Sequence, residues 1–152
     1  MLHSEASSLA RELMNDWGLG HWVFQWDRAK RRAGRCSYSR RIISLSWYYV
    51  QNNPEEDVRN TILHEIAHAL AGSTVGHGPL WKLWAHRVGA KPERCYGEHV
   101  VMPKGQYQAE CPSCQQTFHR HRRPRRGSMF YCLKCGPVNG KIEYMLRESV
   151  PS

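Results

Sequence analysis

The stretch Asn53-Pro54-Glu55-Glu56-Asp57-Val58-Arg59-Asn60-Thr61-Ile62-Leu63-His64-Glu65-Ile66-Ala67-His68-Ala69-Leu70-Ala71-Gly72 decides how this chain is read. Asn53 is a good helix N-cap, Pro54 suits the first helical position, and Glu56 stands three residues after the cap, as in a capping box. Val58, Ile62, Leu63, Ile66, Ala67 and Leu70 recur at helical spacing, and Gly72 is a stop signal. The spacing therefore predicts a helix with His64 and His68 four apart, about 40° around its axis, so that both imidazoles reach one metal ion. Glu65 lies about 100° from His64, on the flank of that face, where it can take a proton from water without occupying a coordination position. Nine histidines and ten glutamates scattered over 152 residues would give only about 0.03 such matches by chance. Two histidines and a solvated glutamate decorating a helix is the bland alternative.

Zinc in a hydrolytic site takes three protein ligands and keeps one position open. A glycine three residues after His68 with a histidine three beyond it would supply the third ligand from one known pattern, but those positions are Ala71 and Thr74. The next histidine, His77, lies in Gly76-His77-Gly78-Pro79, where two glycines give the backbone freedom to turn the ring toward the metal. His77 is the expected third ligand; His86, Glu93 and His99 are its rivals. His3 and His21 are expected in solvent.

Cysteine spacing marks a second metal site. Of six cysteines, Cys111 and Cys114 form one CxxC pair and Cys132 and Cys135 another, with 17 residues between them. Two such knuckles close a tetrahedral four-cysteine zinc site. A disulfide framework is the alternative, but the first residues, Met1 to Glu5, lack the basic and apolar regions of a secretory signal. Cys36 and Cys95 read as small buried hydrophobes.

The rest of the chain fits a small globular protein. It has 152 residues, 41% hydrophobic, with a net charge of +9. That composition excludes wholesale disorder, and no apolar run approaches a membrane span. A first helix is expected over 2–17, a strand over 22–26, a basic loop over 28–35, and two strands over 35–38 and 42–46 joined by a polar turn. Pro79 opens another helix carrying Leu80, Trp81, Leu83, Trp84 and Val88, with Gly89 past its end; Trp81 and Trp84 read as core. The strand 42–46 reads as a core strand with alternating burial, as one that accepts an extended substrate segment, or as both at once. All six tryptophans lie at or before Trp84, and the composition shifts near residue 105. A boundary is expected there, dividing 1–105 from a metal-stapled segment, 106–152.

Positive charge points to an acidic partner, with nucleic acid foremost. Between the knuckles, His119 to Arg126 holds Arg120, Arg122, Arg123, Arg125 and Arg126 and no acid. Arginine suits phosphate forks and base stacking, and Phe118, Phe130 and Tyr131 flank the run. A solvated loop beside a small aromatic core is the alternative. A second patch, Arg28, Lys30, Arg31, Arg32 and Arg35, extends the basic character.

The stretches Gly34-Arg35-Cys36, Ile42-Ile43-Ser44-Leu45-Ser46, His64-Glu65-Ile66-Ala67-His68-Ala69 and Gly76-His77-Gly78-Pro79-Leu80-Trp81 together resemble the SprT-like (Spartan-related) zinc metalloprotease family, and Cys111-Pro112-Ser113-Cys114 with Cys132-Leu133-Lys134-Cys135-Gly136 resembles the zinc ribbon that follows in many members. The resemblance covers roughly residues 5–145. It implies an α+β fold: a compact zincin-type core, with helices packed on a small antiparallel-containing sheet and HExxH on the active-site helix, followed by a β-rich zinc ribbon. It implies two Zn2+, a catalytic one on His64, His68 and His77 with Glu65 as base, and a structural one on Cys111, Cys114, Cys132 and Cys135. It further implies a DNA-stimulated endopeptidase, monomeric and without membrane contact, whose partners are DNA of single-stranded character and proteins bound or crosslinked to it. The expected location is intracellular: cytoplasm or nucleoid in a prokaryotic or viral setting, nucleus in a eukaryote. Two rivals remain, a nucleic-acid-binding zinc protein with an inactive protease part, and a general peptidase with a purely structural ribbon. Tyr96 and His99 are positional candidates for a second oxyanion donor, with neither assigned.

Overall fold

The computed structural model describes residues 1–93 and 100–147, and the chain divides into two compact units, Met1–Pro103 and Lys104–Ser152. Cys95, Tyr96 and His99 lie outside the described residues. Five helices and three small sheets are present among the described residues, a mixed α+β architecture. None of these helices is long and apolar enough to cross a membrane.

The first unit begins with α1 (His3–Asp16), where the Leu2 amide donates to Glu5 Oε2 at 2.7 Å. Gly18, at φ 73°, lets the chain leave the helix. Three strands follow: β1 (Val23–Asp27), β2 (Gly34–Ser37) and β3 (Ile42–Ser46). β2 and β3 form the expected antiparallel hairpin, while β1 runs parallel to β3 on its other side. The order β1-β3-β2 makes β3 the central strand. Both of its edges are already hydrogen bonded, so residues 42–46 cannot accept a peptide by strand addition, and of the sequence readings the core strand alone is found. Ile43, Ser46 and Leu45 are fully buried, as a central strand requires.

A short helix, α2 (Trp47–Asn52), follows at once; the Ser46 hydroxyl caps it, accepting from the Tyr49 amide at 3.3 Å. The long helix α3 (Glu55–Ala71) comes next, ended by Gly72 at φ 100°. Its N-cap residue is Pro54, not Asn53. Asn53 is turned to other partners: its amide donates to the carbonyls of Tyr49 and Val101 at 2.8 and 2.7 Å, and its Oδ1 accepts from the Val101 amide at 2.7 Å. Instead of closing a capping box it pins the end of α2 to the chain near Val101. Helix α4 (Pro79–Val88) begins on its proline and ends on Gly89 in the left-handed region, as expected. Ala6 and Ala10 of α1, Ile43 and Leu45 of β3, Ile62 and Ile66 of α3, and Trp81 and Ala85 of α4 meet in one core with no exposure. Each large apolar side chain so buried contributes about 1.5–3 kcal/mol.

The second unit is built of short strands. β4 (Tyr107–Glu110) pairs antiparallel with β5 (Thr117–Arg120) and with β8 (Met145–Leu146), and β6 (Phe130–Tyr131) pairs with β7 (Lys141–Ile142), with the four-residue helix α5 (Gly136–Asn139) between the last two. Among the described residues its buried apolar centre is Ala109, Cys111, Cys132 and Ile142, with Phe118, Phe130 and Tyr144 packed around it.

Candidate metal centres

Helix α3 projects His64 and His68 from one face, and the Gly76-His77-Gly78 turn before α4 brings His77 to meet them. The three rings offer ligand atoms that all lie within 4.8 Å of one another, and the group could hold a metal ion. His77 Nε2 is 3.1 Å from His64 Nε2 and 3.1 Å from His68 Nε2. One imidazole nitrogen carries either one proton or one lone pair, so it cannot form two such hydrogen bonds well. Three nitrogens around a tetrahedral zinc would be about 3.3 Å apart, close to what is found, so the donor set fits zinc. Trp81, fully buried, backs the cluster: its ring centroid is 4.7, 5.3 and 4.5 Å from those of His64, His68 and His77. Burial, and then the neighbouring His68 and His77, pull the His64 imidazole down to about 3. Burial and then His77 pull His68 down to about 4. Both rings are therefore neutral near pH 7, the form that binds a metal. His86 and Glu93 are exposed and outside the cluster.

Glu65 sits beside the cluster with 5% of its surface exposed. Burial pushes its carboxyl up to about 8, against a backbone hydrogen bond from Cys36 and the charge of Arg32, which lower it. Strand β2 runs against this residue so closely that a Cβ on Gly34 would lie 2.9 Å from both Cγ and Oε1 of Glu65. Tyr38, just past β2, places its hydroxyl 2.6 Å from the His68 carbonyl and 3.0 Å from that of Gly72, and so closes the C-terminal end of α3. Gly34 and Tyr38 are the site residues that spacing did not single out, Gly34 standing only within a stretch shared with the family; Trp81 was read as core, without its place behind the three imidazoles. Cys36 is half-buried rather than buried, with burial pushing its thiol up to about 12.

The four cysteines Cys111, Cys114, Cys132 and Cys135 converge in the second unit, their sulfurs also within 4.8 Å of one another, consistent with a zinc ribbon. Cys114 Sγ and Cys132 Sγ are 3.7 Å apart. That is too far for a disulfide and close to the roughly 3.8 Å edge of a tetrahedral zinc–thiolate site. The two knuckles share two backbone features. In each, the residue after the second cysteine is left-handed, Gln115 at φ 61° and Gly136 at φ 76°, and its amide donates to the first cysteine's carbonyl at 2.9 and 2.8 Å. The backbone amide of Cys114, the largest influence, holds the Cys111 thiol down to about 7, favouring thiolate. Neither His119 nor His121 belongs to the cluster.

The arginines divide. Arg122, Arg123, Arg125 and Arg126 are exposed in the β5–β6 connection. Arg120 is half-buried, its guanidinium 4.6 Å over the Phe130 ring and 5.5 Å over that of Tyr144. Phe118 and Phe130 pack on the cysteine core, whereas Tyr131 is exposed.

The SprT-like family model matches residues 3–100. The chain is 30% identical over 130 residues to Germ cell nuclear acidic protein of Drosophila melanogaster, covering 74% of this chain but 12% of that protein. It is 28% identical over 116 residues to Protein SprT of Pseudomonas putida (strain W619), covering 69% of this chain and 71% of that protein. To Protein SprT of Pseudomonas entomophila (strain L48) it is 27% identical over 119 residues, 71% of this chain and 73% of the other. With its matched segment carrying the three histidines and Glu65, the chain belongs to the SprT-like family.

Proposed function

We propose that this chain is a zinc metalloendopeptidase of zincin type that DNA stimulates and that cleaves proteins bound or crosslinked to DNA. Residues 1–105 form the protease domain and 106–152 the zinc ribbon. The observation that carries the reading is the meeting of three imidazole nitrogens beside one buried carboxyl on the HExxH helix. His64, His68 and His77 hold the catalytic zinc, and Cys111, Cys114, Cys132 and Cys135 the structural one. When bound, the catalytic ion supplies a Lewis acid for the scissile carbonyl and lowers the pKa of water toward ~7.

The protein's own groups do the rest. Glu65 takes the proton of the attacking water and returns a proton to the leaving amine. A carboxyl raised by burial suits that task, because it must hold the proton between the two transfers. Gly34 leaves the room in which Glu65 is oriented, and Tyr38 fixes the turn of helix that carries His68. β2, an edge of its sheet, runs past Glu65 and offers a backbone to which an extended substrate can pair. Arg122, Arg123, Arg125 and Arg126, with Arg120 holding the base of their loop, contact DNA phosphates.

Cleavage of a protein crosslinked to an oligonucleotide, with and without added single-stranded DNA, tests this. Cleavage by the zinc-loaded chain should rise on adding DNA, and the rise should vanish when the five arginines become glutamine. Cleavage indifferent to DNA would support a general peptidase instead.

A further inference from the structure

The basic residues of the first unit are not spread evenly. Residues 28–41 contain Arg28, Lys30, Arg31, Arg32, Arg35, Arg40 and Arg41 and no acidic residue. Asp27, which precedes them, is already engaged: its carboxylate accepts from the Ala29 amide, from Arg32 Nη2 and from the Ser44 hydroxyl, each at 2.8 Å. The patch therefore keeps its positive sign.

Beside it lies a cavity of 530 Å3 lined by Trp26, Asp27, Arg28, Trp47, Tyr48 and Gln51, within the roughly 300–1,000 Å3 usual for ligand sites. Trp47 is 42% exposed, although it directly follows the fully buried Ser46. Its ring is held rather than loose. His3 stacks on it with centroids 3.5 Å apart and planes 8° apart, and His3 Nε2 is 2.9 Å from the Trp47 carbonyl oxygen. Trp26 meets it edge-on at 5.5 Å, and Phe24 meets Trp26 at 5.2 Å. Lys30 Nζ lies 5.4 Å from the centre of the ring of Tyr48, one of the lining residues. A rigid indole with an open surface, framed by cations, is what an unstacked nucleobase and its phosphates require.

We propose that the first unit carries a second nucleic-acid site, in which one base of a single strand stacks in the Trp26–Trp47–Tyr48 cavity while the adjoining phosphates lie on Arg28 and Lys30. Gln51 can donate to or accept from the base edge. The ligand class rests on the nucleic-acid reading above, but the residues do not overlap with the ribbon arginines. A duplex keeps its bases stacked inside and gains only the phosphate contacts.

Fluorescence anisotropy of a labelled oligothymidine and of a labelled duplex, read against a salt series with the zinc-loaded full chain, tests the site. Trp47→Ala should weaken single-strand binding by about 5- to 150-fold and leave duplex binding within about twofold. Trp47→Phe should restore most of the loss. Arg28→Gln with Lys30→Gln removes two exposed charges without touching the core, and should lower the single-strand salt slope by about 1.4. Unchanged single-strand affinity in Trp47→Ala, an equal loss on duplex, or a loss that phenylalanine does not restore would overturn the site. Should Trp47→Ala fail to fold, an unchanged slope in the double variant overturns it alone. The five-arginine ribbon variant reads the other site independently: weakened binding there with none in Trp47→Ala leaves the proposed function standing and removes this inference, and the reverse pattern does the opposite.

Discussion

Gly34 has no side chain, and that is its contribution. A methyl group there would overlap the carboxylate of Glu65, both Cγ and Oε1 lying 2.9 Å from the position it would take. A shift of a reacting group by about 1 Å can cost on the order of 100-fold in rate. Gly34→Ala should therefore lower kcat by one to two orders of magnitude while zinc content and the far-ultraviolet circular dichroism stay as in the wild type. His64 and His68 have a different signature. Their pKa values, about 3 and about 4, stand below the ~6.5 of an unfolded histidine. Between those limits the unfolded chain binds protons that the folded one refuses, so stability falls as pH drops below about 6.5. In metal-stripped protein the urea midpoint should decline from pH 7.5 to pH 5, and more gently in His64→Gln/His68→Gln. At this scale His64, Glu65 and His68 were legible because their geometry lies within one helix. Gly34 and Tyr38 were not, because each acts on a partner far along the chain and spacing carries no record of that; Trp81 was legible as core but not as the backing of the histidines.

Elements were read well where local signals and packing agree. The hairpin of β2 and β3, helix α4 with its proline start and glycine end, and the stop at Gly72 follow from turn and cap chemistry. Helix α2 was missed, for Trp47-Tyr48-Tyr49-Val50 is made of strand-favouring residues; the Ser46 cap and the burial of Tyr49 and Val50 overrode that preference. Its neighbour Asn53 has the right residue type for a cap but uses its amide to join α2 to Val101. Asn53→Ala removes three hydrogen bonds, each worth about 0.5–1.5 kcal/mol, and should cost about 2–3 kcal/mol in chemical denaturation. The paired knuckles give a matched test. Gly136→Val forces a β-branched residue into the left-handed region and should destabilise the second unit by about 1–2 kcal/mol. Gln115→Gly, at the equivalent place in the other knuckle, relieves that strain and should cost nothing, as read from the two melting temperatures.

At the scale of the molecule, the two compact units carry two candidate metal centres among the described residues, one in each. The second unit buries very few apolar side chains, too few to hold about 45 residues without a staple. Cys132→Ser should thus unfold residues 104–147, seen as lost amide protection, while the helices of the first unit keep theirs. What unites the molecule functionally is the claim that the histidine centre is a hydrolytic one with Glu65 as its proton carrier. The most direct test is the rate at which Glu65→Gln, loaded with as much zinc as the wild type, cleaves a protein substrate in the presence of single-stranded DNA. That rate should fall by at least about 100-fold; cleavage at the wild-type rate with zinc in place would contradict the assignment.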